Sequence, residues 1–107
     1  MDSSLKIGKT HELKCWPESY QLILEGKKRF EVRNNDRDFH QGDILHLREF
    51  DPLKQSVDIG TPPVYTGRHL YAFVDYCMTE FMYNYPAILN QIDGLAIMSI
   101  TIEEIGK

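Results

Sequence analysis

The chain has 107 residues, of which 42% are hydrophobic and 26% are charged, the proportions of one soluble globular domain over residues 1–107 and not of a disordered or fibrous protein. Its formal net charge of −4 excludes a protein that coats nucleic acid through bulk positive charge. Its apolar runs fall far short of the roughly 18 residues of a membrane span, and its start shows no secretory signal, so we expect a cytoplasmic protein without a membrane partner.

One main helix is predicted over residues 17–25. Pro17 favours the first turn of a helix, where its missing amide hydrogen is not needed. Gly26 stands where a left-handed C-terminal cap is required. The apolar residues of this segment recur at helical spacing and share one face: Tyr20, Ile23 and Leu24.

The other predicted elements are strands, most of them marked by side chains that alternate between apolar and polar. They cover residues 11–14, 29–33, 44–50, 68–78 and 95–102. A long loop is expected over residues 51–67, and only a short helix or ordered loop, around 86–91, can be assigned within 79–93. These elements predict an α+β fold, a small and mostly antiparallel β-barrel with one main helix and one or two short helical segments.

Alternation also predicts the interior of the barrel. Leu70, Ala72, Val74 and Tyr76 are expected to share one strand face. The residues expected to pack against the apolar face of the helix are Phe30, Val32, Leu45, Leu47, Val74 and Ile100.

Positive charge is concentrated between Lys27 and Arg37, where five basic residues outnumber two acidic ones. This stretch follows Gly26 and reads Gly26-Lys27-Lys28-Arg29-Phe30-Glu31-Val32-Arg33, which matches G-x-K-x-x-E-x-R. The pattern resembles the activating signal cointegrator homology (ASCH) domain, and the likeness to an uncharacterised bacterial and phage branch of that family covers about residues 11–104. The resemblance implies a PUA-like β-barrel with a cleft beside the first helix that binds RNA or a nucleotide.

The matched side chains suit such a ligand. Glu31 and Arg33 point the same way on an alternating strand, about 6.5 to 7 Å apart. Arg33 offers a planar fork for phosphate or a base edge, and Lys28, in the turn before the strand, offers a point charge. Glu31 accepts hydrogen bonds and suits an exocyclic amino group such as that of cytosine. The alternative is a structural ion pair of Glu31 with Arg33 or Lys28.

Aromatic residues flank this cluster and are candidates for stacking on an unpaired base, with core packing as the alternative for each. They are Trp16, Phe39 and Tyr65, and Arg68 is a further candidate cleft residue. Asp36 and Asp38 are interpreted as turn-stabilising caps. The four histidines show no metal-ligand spacing, so neither a metal nor a cofactor is expected.

Two other functions stay open. In a hydrolase acting on a modified nucleoside or RNA, Glu31 would activate water and Lys28 would stabilise an oxyanion. The ASCH-like amidase branch has a threonine three residues after its lysine, and Glu31 occupies that position here, so its mechanism does not transfer directly. The third possibility is a protein-interaction module with a filled cleft, whose partner the sequence does not identify.

Overall fold

The computed structural model describes residues 8–52, 64–79 and 94–106. In chain order the elements are β1 (Thr10–Cys15), α1 (Pro17–Leu24), β2 (Phe30–Asn34), β3 (Ile44–Asp51), β4 (Val64–Met78) and β5 (Leu95–Ile105). The strands form one sheet in the order β1-β3-β4-β5-β2, in which β1 and β3 are parallel and the other neighbours antiparallel. The sheet curls into a half-barrel around α1, which confirms a mostly antiparallel α+β fold.

Helix α1 begins at Pro17 as predicted and ends at Leu24, one residue before the predicted end. Trp16 is extended and Pro17 occupies the first turn, while Gly26 has a φ of 76° after the last turn. The amide of Gly26 donates to the carbonyl of Ile23 and that of Lys27 to the carbonyl of Leu22, each at 3.0 Å. This is a Schellman motif, which satisfies carbonyls at the helix end and turns the chain towards β2.

The core lies on the inner face of the half-barrel. Tyr20 and Ile23 of α1 pack there against alternate residues of the strands, and Leu24 is partly buried beside them. Burial of each large aliphatic side chain contributes about 1.5 to 3 kcal/mol. The core residues are Leu13, Cys15, Tyr20, Ile23, Phe39, Leu45, Leu47, Leu70, Ala72, Val74, Ala96, Met98 and Ile100.

Strand β2 presents its charged side chains to the interior, so the prediction that Phe30 and Val32 are core residues is wrong. Phe30 is 48% exposed and Val32 is 44% exposed, whereas Glu31 between them is only 5% exposed. Alternation assigns side chains to two faces of a strand, but which face meets the core depends on how the strand joins the sheet. Here the ion pair with Arg33 offsets part of the cost of burying Glu31.

Strand β4 is longer than predicted and changes register. The strand begins at Val64, so the predicted loop over 51–67 extends too far at its C-terminal end. Residues 53–63 of that loop lie outside the described residues. Tyr76 is 56% exposed instead of sharing the buried face of Val74, because the pairing with β5 shifts between these two residues. The short helix expected near 86–91 also lies outside the described residues.

Strands β1 and β2 are the two edges of the sheet, and side chains bridge them. Arg33 Nη2 donates to the carbonyl of Lys14 at 2.6 Å, and Arg37 Nη1 donates to the carbonyl of Glu12 at 2.9 Å. Carbonyls along an open strand edge otherwise invite pairing with another chain. The two arginines therefore cover the edge of β1 and hold β2 close to it.

Candidate functional site

A cleft of about 410 Å³ opens where the end of β1, the start of α1 and β2 meet. The chain turns at Trp16 and again at Gly26, which brings residues 14–19 beside residues 31–33. We call this space the first cleft. It is lined by Lys14, Cys15, Trp16, Glu18, Ser19, Glu31, Val32 and Arg33.

Glu31 is the buried acidic group of the first cleft. Its Oε2 accepts a hydrogen bond from Arg33 Nε at 2.7 Å. Its Oε1 is buried and has no hydrogen-bond partner in the described part of the chain. An unpaired buried polar atom costs about 1 to 3 kcal/mol. Glu31 therefore brings to the cleft one strong acceptor for which the described residues supply no donor.

Asp43 shows how a buried carboxylate is usually satisfied in this fold. It is 3% exposed. One oxygen accepts from the amide of Lys9 at 3.1 Å, and the other lies 2.7 Å from Nε2 of His11 and accepts from the amide of His40 at 2.9 Å. Asp43 and Asn35, which accepts from the amide of Phe39 at 3.0 Å, provide the side-chain acceptors that stabilise this turn region.

Glu49 is likewise satisfied on both oxygens. Arg68 donates to Oε1 at 2.9 Å and to Oε2 at 3.0 Å, and the hydroxyl of Thr66 donates to Oε1 at 2.6 Å. The bonds from Arg68 lower the pKa of Glu49, against the effect of burial, which raises it. Among the buried carboxylates of the described residues, Glu31 is thus the one with an open oxygen.

Arg33 is held by two contacts within the protein. Its Nε pairs with Glu31 and its Nη2 with the carbonyl of Lys14. The ion pair that the sequence left as an alternative is therefore present. These bonds fix the plane of the guanidinium and leave Nη1 outside them, so Arg33 both positions Glu31 and presents a further donor.

Trp16 lines the first cleft, and Lys28 contacts it through Ser19. Lys28 precedes β2, as predicted, and lines a neighbouring cavity of about 330 Å³. Its ammonium donates to the hydroxyl of Ser19, which lines the first cleft. Trp16 is 64% exposed at the rim. The structure thus brings together four of the residues predicted from the sequence.

Tyr65 and Arg68 lie elsewhere. They line a separate space of about 330 Å³, which we call the second cleft, lined by His46, Arg48, Tyr65, Gly67, Arg68 and His69. Phe39 is 3% exposed and belongs to the core, so it is not placed to stack on a ligand. The sequence placed these residues beside one site because it could not show on which face of the sheet each would emerge.

The sequence did not predict five residues that line the first cleft: Lys14, Cys15, Glu18, Ser19 and Val32. The first four lie beside Trp16 at the junction of a strand and a helix, which was the signal that could have found them, whereas Val32 was expected in the core. Burial, and secondarily the Glu31 carboxylate, raise the pKa of Cys15. Its thiol is therefore protonated near neutral pH and is a poor nucleophile.

Comparison with known protein families places most of the chain in one of them. Residues 10–100 match the family described as Domain of unknown function (DUF3850). The chain belongs to this family. The DUF3850 chain is also similar to the "Uncharacterized 12.9 kDa protein in GpA 3'region" of Escherichia phage P2, with 46% identity over 44 residues. That segment covers 41% of the DUF3850 chain and 40% of the phage protein.

Two further observations concern the described parts of this DUF3850 chain. None of their helices is long and apolar enough to cross a membrane. Nor do three or more histidine, cysteine, aspartate or glutamate side chains come together there in a group that could hold a metal ion.

Proposed function

We propose that the first cleft binds an unpaired nucleotide, either free or within single-stranded RNA, and that the half-barrel is of the PUA-like ASCH type. The observation that carries the proposal is the open Oε1 of Glu31, an acceptor that is buried in a cleft with cations and an exposed aromatic ring. The resemblance of the Gly26 to Arg33 stretch to the ASCH pattern supports the same function.

Glu31 is suited to read the base. An ionised carboxylate only accepts hydrogen bonds, so its partner must be a donor. Cytosine, adenine and guanine each carry an exocyclic amino group. Uracil and hypoxanthine lack it and have only a ring N–H as a donor on their base-pairing edge. Because the alternative to the bond is an unpaired buried oxygen, a base that brings no amino group to Oε1 is disfavoured.

Trp16 is suited to stack on the base. A tryptophan that is 64% exposed contributes little to the core, and its place on the rim of the cleft gives the ring access to a ligand. Stacking of a base on an aromatic side chain is worth about 1 to 3 kcal/mol. Trp16 therefore supplies affinity without regard to base identity, while Glu31 supplies preference.

The cations of the site are suited to phosphate. Lys14 and Arg33 line the first cleft and Lys28 reaches it through Ser19, against the carboxylates of Glu18 and Glu31. Three positive and two negative groups leave a local excess of positive charge in a chain whose formal net charge is −4. A local excess directs a phosphate to the cleft.

The proposal is tested by titration calorimetry with CMP, AMP, GMP, UMP and IMP. We expect wild type to bind one or more of the amino-bearing nucleotides at least about tenfold more tightly than UMP or IMP. Glu31→Gln should lose that preference. Glu103→Gln, which removes the same charge from an exposed position of β5, is the matched control and should keep it.

Two outcomes would contradict the proposal. Equal affinity for nucleotides with and without the amino group would show that Glu31 does not recognise the base. If the protein binds neither the nucleotides nor short RNAs that contain them, the proposed function is wrong. Chromatography of the same mixtures tests the hydrolase alternative. Turnover that is lost in both Lys28→Ala and Glu31→Gln would replace binding by a reaction in which Glu31 activates water.

A further inference from the structure

The second cleft lies on the outer face of the sheet and is rich in rings and nitrogen donors. The guanidinium of Arg48 lies 3.7 Å from the centre of the Tyr65 ring. His46 Nε2 and His69 Nδ1 are 2.9 Å apart, and the His46 ring stacks on Tyr71 with 4.2 Å between centres. Cations and aromatic rings alternate here, as on surfaces that bind single-stranded nucleic acids.

The second cleft adjoins the first through neighbouring strands. Lys14, which lines the first cleft, is paired in register with Arg48, which lines the second. Adjacent strands are about 4.8 Å apart. The ammonium of Lys14 also lies 4.6 Å from the centre of the Phe50 ring, and Phe50 lies 5.3 Å from Tyr65. A continuous series of contacts therefore leads from Lys14 through Phe50 and Tyr65 to Arg48.

The outer face of the sheet differs between its two halves. Beside the second cleft it carries Lys14, Arg48 and Tyr65. At the other end, Phe30 lies in register with Ser99 and Ser99 with Tyr76, and the ammonium of Lys28 lies 5.5 Å from the centre of the Phe30 ring. The described helix packs on the inner face, so neither half is covered by it. The half that adjoins the first cleft has the closer cation–ring contacts, 3.7 Å for Arg48 with Tyr65 and 4.6 Å for Lys14 with Phe50.

We propose that the second cleft holds the nucleotides next to the one in the first cleft, so that the ligand is a single-stranded nucleic acid and not a free nucleotide. This inference rests on the proposed function of the first cleft. In it, Tyr65 stacks on a base, and Arg48, whose Nη1 pairs with the exposed Glu12 at 2.8 Å, directs its remaining donors to a phosphate. Lys14 contacts the backbone between the two clefts.

The test compares a mononucleotide with oligonucleotides of two to six residues, as RNA and as DNA, by fluorescence anisotropy and calorimetry. The sequences contain the base that the first cleft prefers. We expect affinity to rise on lengthening by about 5-fold to 150-fold for each base that stacks. A preference for RNA over DNA of the same sequence would assign contacts to the 2′-hydroxyl.

Single substitutions show which residues cause the rise in affinity with oligonucleotide length. Tyr65→Ala should remove most of the gain in affinity on lengthening and leave the affinity for a mononucleotide unchanged. The control is Tyr76→Ala, which removes a 56% exposed tyrosine from the other half of the outer face. It should change neither the gain on lengthening nor the affinity for a mononucleotide. Arg48→Ala should lower the slope of log affinity against log salt by about 0.7, the value for one phosphate contact to a single strand. If Tyr65→Ala does not fold, Arg48→Ala still tests whether the second cleft contributes to binding.

The outcomes separate the two proposals. Mononucleotide binding without a gain on lengthening, or with a gain that neither Tyr65→Ala nor Arg48→Ala reduces, overturns the role of the second cleft and leaves the first cleft intact. A gain that depends on Tyr65, in a protein whose preference among mononucleotides is unchanged in Glu31→Gln, supports the second cleft and overturns base reading by Glu31. If neither mononucleotides nor oligonucleotides bind, both proposals fail.

Discussion

Glu31 and Glu49 are carboxylates buried to almost the same degree, 5% and 4% exposed, yet they are partnered differently. Glu49 has both oxygens filled by Arg68 and Thr66, while Glu31 has one oxygen filled by Arg33 and one open. Burial alone therefore does not distinguish a structural carboxylate from a binding one. The difference is the unfilled hydrogen-bonding capacity, which costs stability unless a ligand fills it.

The largest loss of stability is expected on truncation of a core residue, and the losses at Glu49 and Glu31 can be compared with it. Leu47 is fully buried on the same face of β3 as Glu49. Leu47→Ala should lower the free energy of unfolding by about 2 to 5 kcal/mol, because it removes buried methyl groups and leaves a cavity. Urea unfolding followed by circular dichroism measures this. A loss below about 1 kcal/mol would contradict the position of the core.

Removal of the Glu49 charge should be the next largest change. Glu49→Gln keeps the shape of the side chain but cannot accept the three bonds in the same way, and we expect a loss of about 1 to 3 kcal/mol in the free energy of unfolding. Glu12→Gln is the control, because it breaks an exposed pair with Arg48, worth about 0 to 1 kcal/mol. Equal losses would show that Glu49 is not a structural anchor.

The contribution of Glu49 should depend on pH with a definite sign. Its pKa in the folded protein is lowered from the ordinary value of 4.5, chiefly by the bonds from Arg68. A carboxyl group with a lowered folded pKa stabilises the protein above its unfolded pKa and loses that contribution as pH falls through the folded value. The difference in unfolding free energy between wild type and Glu49→Gln should be constant near neutral pH and shrink below 4.5. A difference that grows on acidification would contradict this.

The smallest effect on stability is expected at the open carboxylate. Glu31→Gln should change the free energy of unfolding by less than about 1 kcal/mol, because Oε1 makes no bond that the change removes and the lost ion pair is offset by one fewer buried charge. The same variant should lose base preference in the nucleotide titration. If Glu31→Gln destabilises as much as Glu49→Gln, Glu31 is structural and the comparison between the two sites collapses.

The elements of the fold were accessible from local sequence because their signals are local. Pro17 and Gly26 bound the helix through backbone geometry that depends on single residues. Alternation located β2, β3 and β4, and the inner faces of β3 and β4 follow it at Leu45, Leu47 and Val74. Bounds were less certain, since β4 and β5 continue beyond the alternating segments under the control of their neighbours.

The candidate site was accessible only in part. The shared face of Glu31 and Arg33 follows from period two, and the placement of Lys28 follows from the turn after Gly26. Lys14 and Ser19 were missed because they join the site across the gap between β1, α1 and β2, a contact between segments distant in the chain. Tyr65 and Arg68 were assigned to the same site because their distance in space from Glu31 is not encoded locally.

By itself the sequence determined the type and order of the described elements, the start of the helix and its glycine cap, and the fact that Glu31 and Arg33 point to the same side of their strand. These features depend on backbone preferences and on spacing within one segment. Only the tertiary structure decided that β2 turns its charged face inward, leaving Phe30 and Val32 outside, and that one oxygen of Glu31 finds no partner within residues 8–52, 64–79 and 94–106. The reason is that burial and hydrogen-bond partners are properties of contacts between segments. An alternating strand has two faces, and the fold chooses which one is inside.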